Sequence, residues 1–326
     1  MIRKKRFLAA VILIMCLLFT ACGGSDEPAE QGGDTVKIGL LSIDDSLPFF
    51  VAQEKGFFDE AGVNVELLPF GSAKDKEMAL EAGAIDGDMT DLIVTALLKQ
   101  TTDVKIVSFA LGADSSEGRF VLLASPNSDI ETMEDLKGIP VAIGNNTIIQ
   151  YICDKVEIMN GFQPEEMLTQ NIPDLGLRFE ALMAGKDVQA AILPDPLAAL
   201  GQMQGAKTIL DDTTLDVNLS QSVVIFTQEA IDKKGDEIQK VMDAYFKAMT
   251  YLNENQGSEE VKAWHMEFCQ IPEVLRDTYT TSTYTPNALP DEAMIGDVTD
   301  WMVEKGLLEE AFSYEDLVYE GFVKEQ

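Results

Sequence analysis

The chain has 326 residues and carries 24 Lys and Arg against 56 Asp and Glu, which gives a formal net charge of −32 at pH 7. Nucleic-acid binding depends on clustered basic residues, so this charge balance argues against a nucleic-acid partner. The length allows two domains, and the surplus of acidic residues favours solubility.

Residues 1–21 have the three parts of a secretory signal peptide. Four basic residues at positions 3–6 precede an apolar run over residues 7–19, and the small residues Thr20 and Ala21 follow. The apolar run is shorter than the roughly 20 residues that an ordinary membrane-spanning helix needs. Cleavage after residue 21 removes the four basic residues and changes the net charge from −32 to −36.

Cys22 stands directly after the predicted cleavage point. This arrangement resembles the lipobox of bacterial lipoproteins, in which the Cys becomes the first residue and carries a diacylglycerol; the usual Leu three positions earlier is Phe19 here. Residues 22–35 consist mostly of Gly, Ser, Asp, Glu and Pro, which predicts a disordered tether. We therefore expect an extracytoplasmic protein anchored to the cell membrane through Cys22. Ordinary secretion with an incidental Cys is the alternative.

Short apolar segments alternate with helical patterns from residue 36 onward, which predicts parallel βαβ units and an α/β fold. The expected strands span residues 36–41, 63–70, 84–89 and 104–111. The expected helices begin at Phe49, at Lys74 and at Thr90 with Asp91.

The alternation starts again after Pro126. Strands are expected at residues 139–143, 167–172 and 188–193, with helices at 148–160, at 175–184 and after Pro194. A further strand is expected at residues 222–226, and amphipathic helices follow from Glu229. Apolar residues on the first of these helices recur every three or four positions, which is typical of a core-facing stripe.

Several segments in this order resemble a known family. They are VAQEKGFF at 51–58 and GVNVE at 62–66, ALEAGAID at 79–86, EDLKGIPVAI at 134–143, and LMAGKDVQAA at 182–191. Together with Lys37-Ile38-Gly39, they resemble the periplasmic binding proteins for nitrate, sulfonates, taurine and thiamine precursors over residues 36–250.

The resemblance implies a type II periplasmic-binding-protein fold, with two α/β lobes and a ligand cleft between them. By analogy, lobe 1 holds residues 36–124 and 223–326, and lobe 2 holds residues 125–222, with crossings at 121–125 and 220–226. The implied function is to capture a small molecule, as a monomer, and to deliver it to the permease of an ABC importer.

In open α/β sheets, ligands bind beyond the carboxyl ends of the strands, where helix N-termini offer free N–H groups. Each polar candidate there is also a plausible cap or turn residue, and an aromatic one a plausible core residue. The candidate ligand-binding residues are Ser42, Asp44, Asp45, Phe49, Ser72, Thr90, Asp91, Asn145, Asn146, Thr147 and Asp195.

No catalytic residue, metal site or cofactor is expected. The single histidine, His265, falls within a predicted helix, and Cys153 and Cys269 are expected to be buried thiols. The chain lacks the Gly-x-Ser-x-Gly, His-Glu-x-x-His and phosphate-loop motifs. Two other functions stay open: a ligand-sensing receptor, and an enzyme like the pyrimidine synthases of thiamine biosynthesis, which share this superfamily's fold.

The acidic residues of the expected cleft bear on the charge of the ligand. Carboxylates that face a small anion in a buried site cost binding energy. Either most of the Asp residues at positions 44, 45, 91 and 195 turn away as helix caps, or the ligand presents N–H groups or positive charge. We favour a nitrogen-bearing organic ligand over a simple inorganic anion.

Overall fold

The computed structural model describes residues 34–163 and 166–324, and this part of the chain contains ten strands and eleven α-helices. Cys22 and most of the predicted tether lie outside the described residues, as does the predicted signal peptide. The strands are β1 (Val36–Leu40), β2 (Val65–Pro69), β3 (Gly87–Asp91), β4 (Val104–Leu111), β5 (Phe120–Ala124), β6 (Val141–Ile143), β7 (Thr169–Asn171), β8 (Ala190–Pro194), β9 (Lys207–Asp211) and β10 (Ser222–Thr227).

The helices connect these strands and extend the chain beyond β10. They are α1 (Leu47–Glu54), α2 (Phe57–Ala61), α3 (Ala73–Glu81), α4 (Leu92–Lys99), α5 (Ile148–Met159), α6 (Leu175–Ala184), α7 (Leu197–Met203), α8 (Gln228–Glu254), α9 (Glu259–Phe268), α10 (Glu292–Glu304) and α11 (Tyr314–Leu317). Of the described helices, none combines the length and the apolar character needed to cross a membrane.

The first sheet has the strand order β2-β1-β3-β10-β4. β1 pairs in parallel with β2 and β3, whereas β10 runs antiparallel to both of its neighbours, β3 and β4. The sequence SVVIFT suits a strand with a covered surface on both faces, because it is almost continuously apolar. The interior position of β10 in the sheet agrees with this, since Val223 to Phe226 are fully buried.

Alternate residues of β10 face two different parts of the core. Val223 and Ile225 pack in one cluster with residues of α4 and α10, and Val224 and Phe226 pack in another with α1, α8 and α9. The apolar stripe predicted on α8 is confirmed as core. Its members are all fully buried: Ile238, Val241, Met242, Tyr245, Met249 and Leu252.

The second sheet has the order β7-β6-β8-β5-β9. β6 is parallel to β7 and β8, and β5 is antiparallel to β8 and β9. β5 and β9 are not among the strands predicted from the sequence. The βαβ pattern predicts parallel pairing, and both sheets differ from that prediction by including antiparallel strands. Helices α5, α6 and α7 pack on this sheet.

The position of β5 corrects the predicted crossing at residues 121–125. Val121 pairs with Leu193 and with Asp211, so residues 120–124 belong to the second sheet. The chain therefore passes between the sheets at residues 112–119, and it returns at residues 212–221, just before β10. The predicted boundary at residue 124 lies one strand too late.

Candidate ligand-binding cleft

A cavity of about 430 Å³ lies where strands of both sheets end and helices begin. The first-sheet side of its wall includes Ile43, Asp44, Asp45, Glu77, Thr90 and Asp91. The second-sheet side includes Gly144, Thr147, Ile148, Pro173, Arg178 and Asp195. Residues of both crossings, among them Arg119 and Gln221, complete the lining. We call this cavity the cleft.

Two of the lining residues are helix caps. The carboxylate of Asp91 accepts a hydrogen bond of 2.8 Å from the N–H of Val94 and begins α4. The hydroxyl of Thr147 accepts one of 3.2 Å from the N–H of Ile149 and begins α5. Asp91 has a second carboxylate oxygen besides the capping one, whereas the single hydroxyl of Thr147 also donates to the carbonyl of Gly144 at 2.7 Å.

Asp44 is held by residues from the C-terminal third of the chain. Its Oδ2 accepts a hydrogen bond of 2.8 Å from the hydroxyl of Tyr279, and its main-chain oxygen accepts one of 2.9 Å from Tyr284. The Nε2 atom of His265 lies 3.8 Å from Asp44 Oδ1. Burial, with a smaller contribution from the neighbouring Asp45, raises the pKa of Asp44 to about 7.

Three further carboxyl groups line the same side of the cleft. Burial is the main reason that the pKa of Asp45 and that of Asp91 are raised, and the charge of Asp45 adds to the effect on Asp91. Burial likewise raises the pKa of Glu77 to about 7, and nearby Asp88 and Asp91 contribute. The first-sheet wall therefore brings together carboxyl groups that repel one another when charged.

Lys76 is the cation of this wall, and it is bound to Asp88 beneath the surface. Its Nζ lies 2.8 Å from Asp88 Oδ2, and the two side chains are 1% and 0% exposed. Gly39 permits this contact, because a Cβ there would lie 3.0 Å from Lys76 Cγ and 2.6 Å from Ile85 Cδ1. The ammonium group thus pairs with a buried strand residue and forms no ion pair with the carboxylates of the cleft wall.

Arg119 neutralises the acidic group of the opposite wall. Its Nη1 lies 3.1 Å from Asp195 Oδ1, its Nε lies 2.7 Å from Asp211 Oδ2, and its Nη2 donates to Gln202 Oε1 at 3.0 Å. Asp195 also accepts a hydrogen bond from the N–H of Ala199 in α7. The carboxylate of Asp195 is therefore already compensated within the protein.

Arg178 is buried under the loop that leads into α5. Its Nε donates to the carbonyl of Ile172 at 2.8 Å and its Nη1 to that of Ile192 at 3.0 Å. Burial lowers its pKa to about 10. A Cβ at Gly144 would lie 3.1 Å from Arg178 Nη2, so glycine at that position allows the guanidinium to approach the loop.

Six of the eleven predicted binding residues line the cleft: Asp44, Asp45, Thr90, Asp91, Thr147 and Asp195. The other five lie elsewhere. Phe49, predicted at the cleft, is a fully buried core residue whose ring centroid lies 4.2 Å from that of Tyr245. Ser72 caps α3 by accepting from the N–H of Asp75, and Ser42 contacts Gln270.

Asn145 and Asn146 form the exposed part of the loop before α5. Their main-chain N–H groups donate to the side chains of Asn171 and Gln150, respectively. The cap residue Thr147, one position later, is the member of this run that reaches the cleft. The positive φ of 58° at Asn146 fits a turn, which is the alternative that the sequence had left open.

Sequence reasoning missed several residues of the cleft, namely Lys76, Glu77, Arg119, Arg178, Gln221 and Tyr279. The pairing of β5 with β8 would have indicated Arg119 as a residue of the cleft. Because Phe120 of β5 lies opposite Pro194 of β8, the residue before β5 falls beside Asp195. Tyr279 lies in an irregular segment far along the chain, and no local pattern marks it.

Helix α5 packs on the second sheet, and it contacts helix α10, which packs against α4 of the first sheet. The hydroxyl of Tyr151 donates to Asp297 Oδ2 at 2.7 Å, and Trp301 Nε1 donates to Asp154 Oδ2 at 2.9 Å. Lys305 Nζ lies 2.6 Å from the same Asp154 carboxylate, and the rings of Tyr151 and Trp301 meet edge to face at 5.4 Å. Since α10 packs on α4 of the first sheet, this contact links the two sheets outside the crossings.

The remaining chemistry-bearing side chains lie outside the cleft. Cys153 and Cys269 are free and buried, which confirms the prediction of two buried thiols. His265 is buried in α9, and burial lowers its pKa to about 4, so it is neutral at pH 7. Among residues 34–163 and 166–324, no group of three or more His, Cys, Asp or Glu is placed to hold a metal ion.

Residues 44–258 match the family described as NMT1/THI5 like. A protein of Brachyspira hyodysenteriae that is proposed to be an ABC transporter periplasmic binding protein is 22% identical over 309 residues, covering 86% of each chain. The periplasmic aliphatic sulphonate binding protein SsuA from Escherichia coli has a similar structure, with a TM-score of 0.73, 18% identity, and coverage of 89% of this chain and 99% of that one. The desulfurization enzyme DSZB shares the fold at a TM-score of 0.67 and 15% identity, covering 89% of this chain and 97% of that one.

Proposed function

The chain belongs to the NMT1/THI5-like family, and on that premise we propose that it is the extracytoplasmic solute-binding protein of an ABC importer. It captures one small polar molecule of the nitrate, sulfonate, taurine and thiamine-precursor class and delivers it to the permease. The observation that carries the proposal is the cleft of about 430 Å³ at the strand ends of both sheets. That volume falls within the usual range of small-molecule sites.

The two crossings supply the hinge of this proposed trap. They are tied to each other, because the side-chain amide of Asn218 donates to the carbonyls of Asp114 and Glu117 at 3.1 and 2.7 Å. Two α/β lobes joined at such a place close around a ligand by hinge motion. The lobes are the first sheet and the second sheet, each with the helices that pack on it. In this arrangement the contact between α5 and α10 holds the lobes together beside the cleft.

The proposed protein acts as a monomer at the outer face of the cell membrane. The signal-peptide pattern and the lipobox-like position of Cys22 support anchoring through a lipid on that residue. Each chain has its own cleft between its two sheets, which supports one ligand per chain.

The first-sheet wall favours a nitrogen-bearing organic ligand over a simple inorganic anion. Four carboxyl groups line it, and Asp88 already holds the ammonium of Lys76. A sensor receptor would use the same cleft, and a permease and an ATPase encoded beside the gene would favour transport. An enzyme of the pyrimidine-synthase type is less favoured, because the single histidine of the chain lies outside the cleft.

The test is to purify the chain without its lipid anchor, identify the small molecules that copurify by mass spectrometry, and titrate the identified molecule by calorimetry. Light scattering in the same samples gives the oligomeric state. The expected result is one unaltered ligand per monomer. Turnover of the bound molecule, or a site that forms only between two chains, would overturn the proposal.

A further inference from the structure

The charges that line the cleft are unevenly compensated. The ammonium of Lys76 binds Asp88, and the guanidinium of Arg119 binds Asp195 and Asp211. Within the described residues, by contrast, no Lys or Arg forms an ion pair with Asp45, Asp91 or Glu77, all of which line the first-sheet wall. The charge of Lys76 acts on Asp91 and Glu77 without a direct contact, so the carboxyl groups of this wall have no paired cation within the described protein.

A second observation is independent of these charges. Gln221 lines the cleft at 2% exposure, and its Oε1 has no hydrogen-bond partner in the described part of the chain. Its Nε2 donates to the carbonyl of Asn218, so the oxygen is the end of the amide that remains free. Buried acceptors without donors are costly, and a ligand that brings N–H groups satisfies them.

The volume of the cleft and the residues of its second-sheet side indicate what the rest of the ligand is like. The cleft of about 430 Å³ is large enough for an organic molecule, and a four-atom anion would leave most of it unfilled. The second-sheet side offers apolar surface from Ile148, Pro173 and Leu197. Arg178 also lines this side; it donates to the main-chain carbonyls of Ile172, Ile192 and Pro173 and forms no ion pair with a described carboxylate.

We propose that the ligand is an organic cation whose charged amine, amidine or guanidine head lies between Asp45 and Asp91, with Gln221 as an additional acceptor, and whose apolar body lies against the second-sheet wall. This inference rests on the proposed function and specifies its substrate class. Asp45 and Asp91 then determine specificity, because they select for positive charge at a position that the protein leaves uncompensated. Asp195 does not, since Arg119 already neutralises it.

The experiment is a thermal-shift panel at about pH 8 in which each carbon skeleton appears with several head groups. Alkyl, aryl and pyrimidinyl amines, amidines and guanidines are compared with the alcohols, carboxylates and sulfonates of the same skeletons. A ligand that binds the folded state raises the melting temperature. The expected result is that the strongest stabilisers are cations. If an anion or a neutral compound stabilises most, the inference is overturned while the solute-binding function stands. If no compound of any charge stabilises and nothing copurifies, the proposed function itself fails.

Two variants then test the assigned residues with the best cation. Asp45→Asn and Asp91→Asn should each weaken its binding by about 10- to 100-fold, the usual range for a hydrogen bond to a charged group. The melting temperature of the unliganded protein should stay equal or rise, because like-charge repulsion falls and Asn caps α4 as well as Asp does. Asp75→Asn, an exposed change on α3 outside the cleft, is the matched control and should leave the affinity unchanged. Unchanged cation affinity in both cleft variants would overturn the assignment, whatever their stability.

Discussion

Replacing Lys76 by Met should destabilise the protein strongly, because it removes the partner of a fully buried carboxylate. Asp88 is 0% exposed, and one of its oxygens has no hydrogen bond among the described residues even with Lys76 present. Breaking a buried pair from one side costs about 3–5 kcal/mol. Asp88 can limit this cost by taking up a proton. For a carboxyl group with an ordinary pKa near 3.9, that protonation costs about 4 kcal/mol at pH 7 and about 1.5 kcal/mol at pH 5.

The expected loss is therefore about 4 kcal/mol at pH 7 and markedly less at pH 5. At roughly 2.1 cal/mol/K of unfolding entropy per residue over about 290 residues, 4 kcal/mol lowers the melting temperature by about 7 °C. Urea titrations at both pH values, followed by the fluorescence of Trp264 and Trp301, measure the free energy of unfolding. Lys74→Met, an exposed change two positions away on α3, is the control and should have little effect.

The double variant Lys76→Met with Asp88→Leu separates the buried charge from lost packing. Replacement of both partners by apolar residues is often neutral or stabilising, so the double variant should recover most of the loss. A loss below about 1 kcal/mol at pH 7 for the single variant, or one that does not shrink at pH 5, would refute the reasoning.

The other predictions concern pH, packing and anchoring. Burial raises the pKa of three carboxyl groups to about 7: Asp44, Glu77 and Asp212. A carboxyl group whose pKa is higher in the folded than in the unfolded state stabilises the fold at pH values below its unfolded pKa, and this stabilisation is lost as the pH rises through 7. The unliganded protein should therefore have a higher melting temperature at about pH 5.5 than at about pH 8. Equal melting temperatures by calorimetry at the two pH values would contradict this. Gly87→Ala should lower the free energy of unfolding by about 1–3 kcal/mol in a denaturant titration, because the added Cβ would lie 2.4 Å from a main-chain oxygen of β10. Gly71→Ala is the control and should change it little, because a Cβ there would have no atom within 4 Å. Cys22→Ala should abolish lipid labelling, and unchanged labelling would disprove the anchor.

Much of the fold could be predicted because strands and helices alternate with clear boundaries. β4 and α6 have the predicted bounds, and α5 ends one residue before the predicted position. β5 and β9 escaped because neither is followed by the helix that a βαβ pattern requires. β5 is followed by a loop and a short 3-10 helix at Met133–Leu136, and β9 is followed directly by a short 3-10 helix at Asp212–Thr214. Their identity as strands depends on pairing with β8 and with each other, which no local pattern encodes.

The site was predictable to the extent that helix starts mark it. Asp91, Thr147 and Asp195 lie at such starts and line the cleft. The position of a helix start identifies the loop, but it does not identify which side chain of the loop faces the cleft. The exposed Asn145 was therefore predicted as a binding residue. Arg119 reaches Asp195 across 76 positions of sequence, and Tyr279 reaches Asp44 across 235. Contacts at such separations follow from the tertiary fold and cannot be read from a window of sequence.

The position of β10 between β3 and β4 sets the order in which the two sheets can be completed. All strands of the second sheet come from the continuous stretch of residues 120–211, so that sheet can form as soon as the stretch is available. The first sheet keeps a one-strand gap until β10 arrives, and Leu111 then pairs with Ser222 across the whole intervening segment. Until that moment β3 and β4 each present an unpaired edge, and unpaired edges are the places where chains associate with one another. The chain is therefore most vulnerable to aggregation before β10 inserts, and a chaperone or a fast-folding second sheet would protect it at that step.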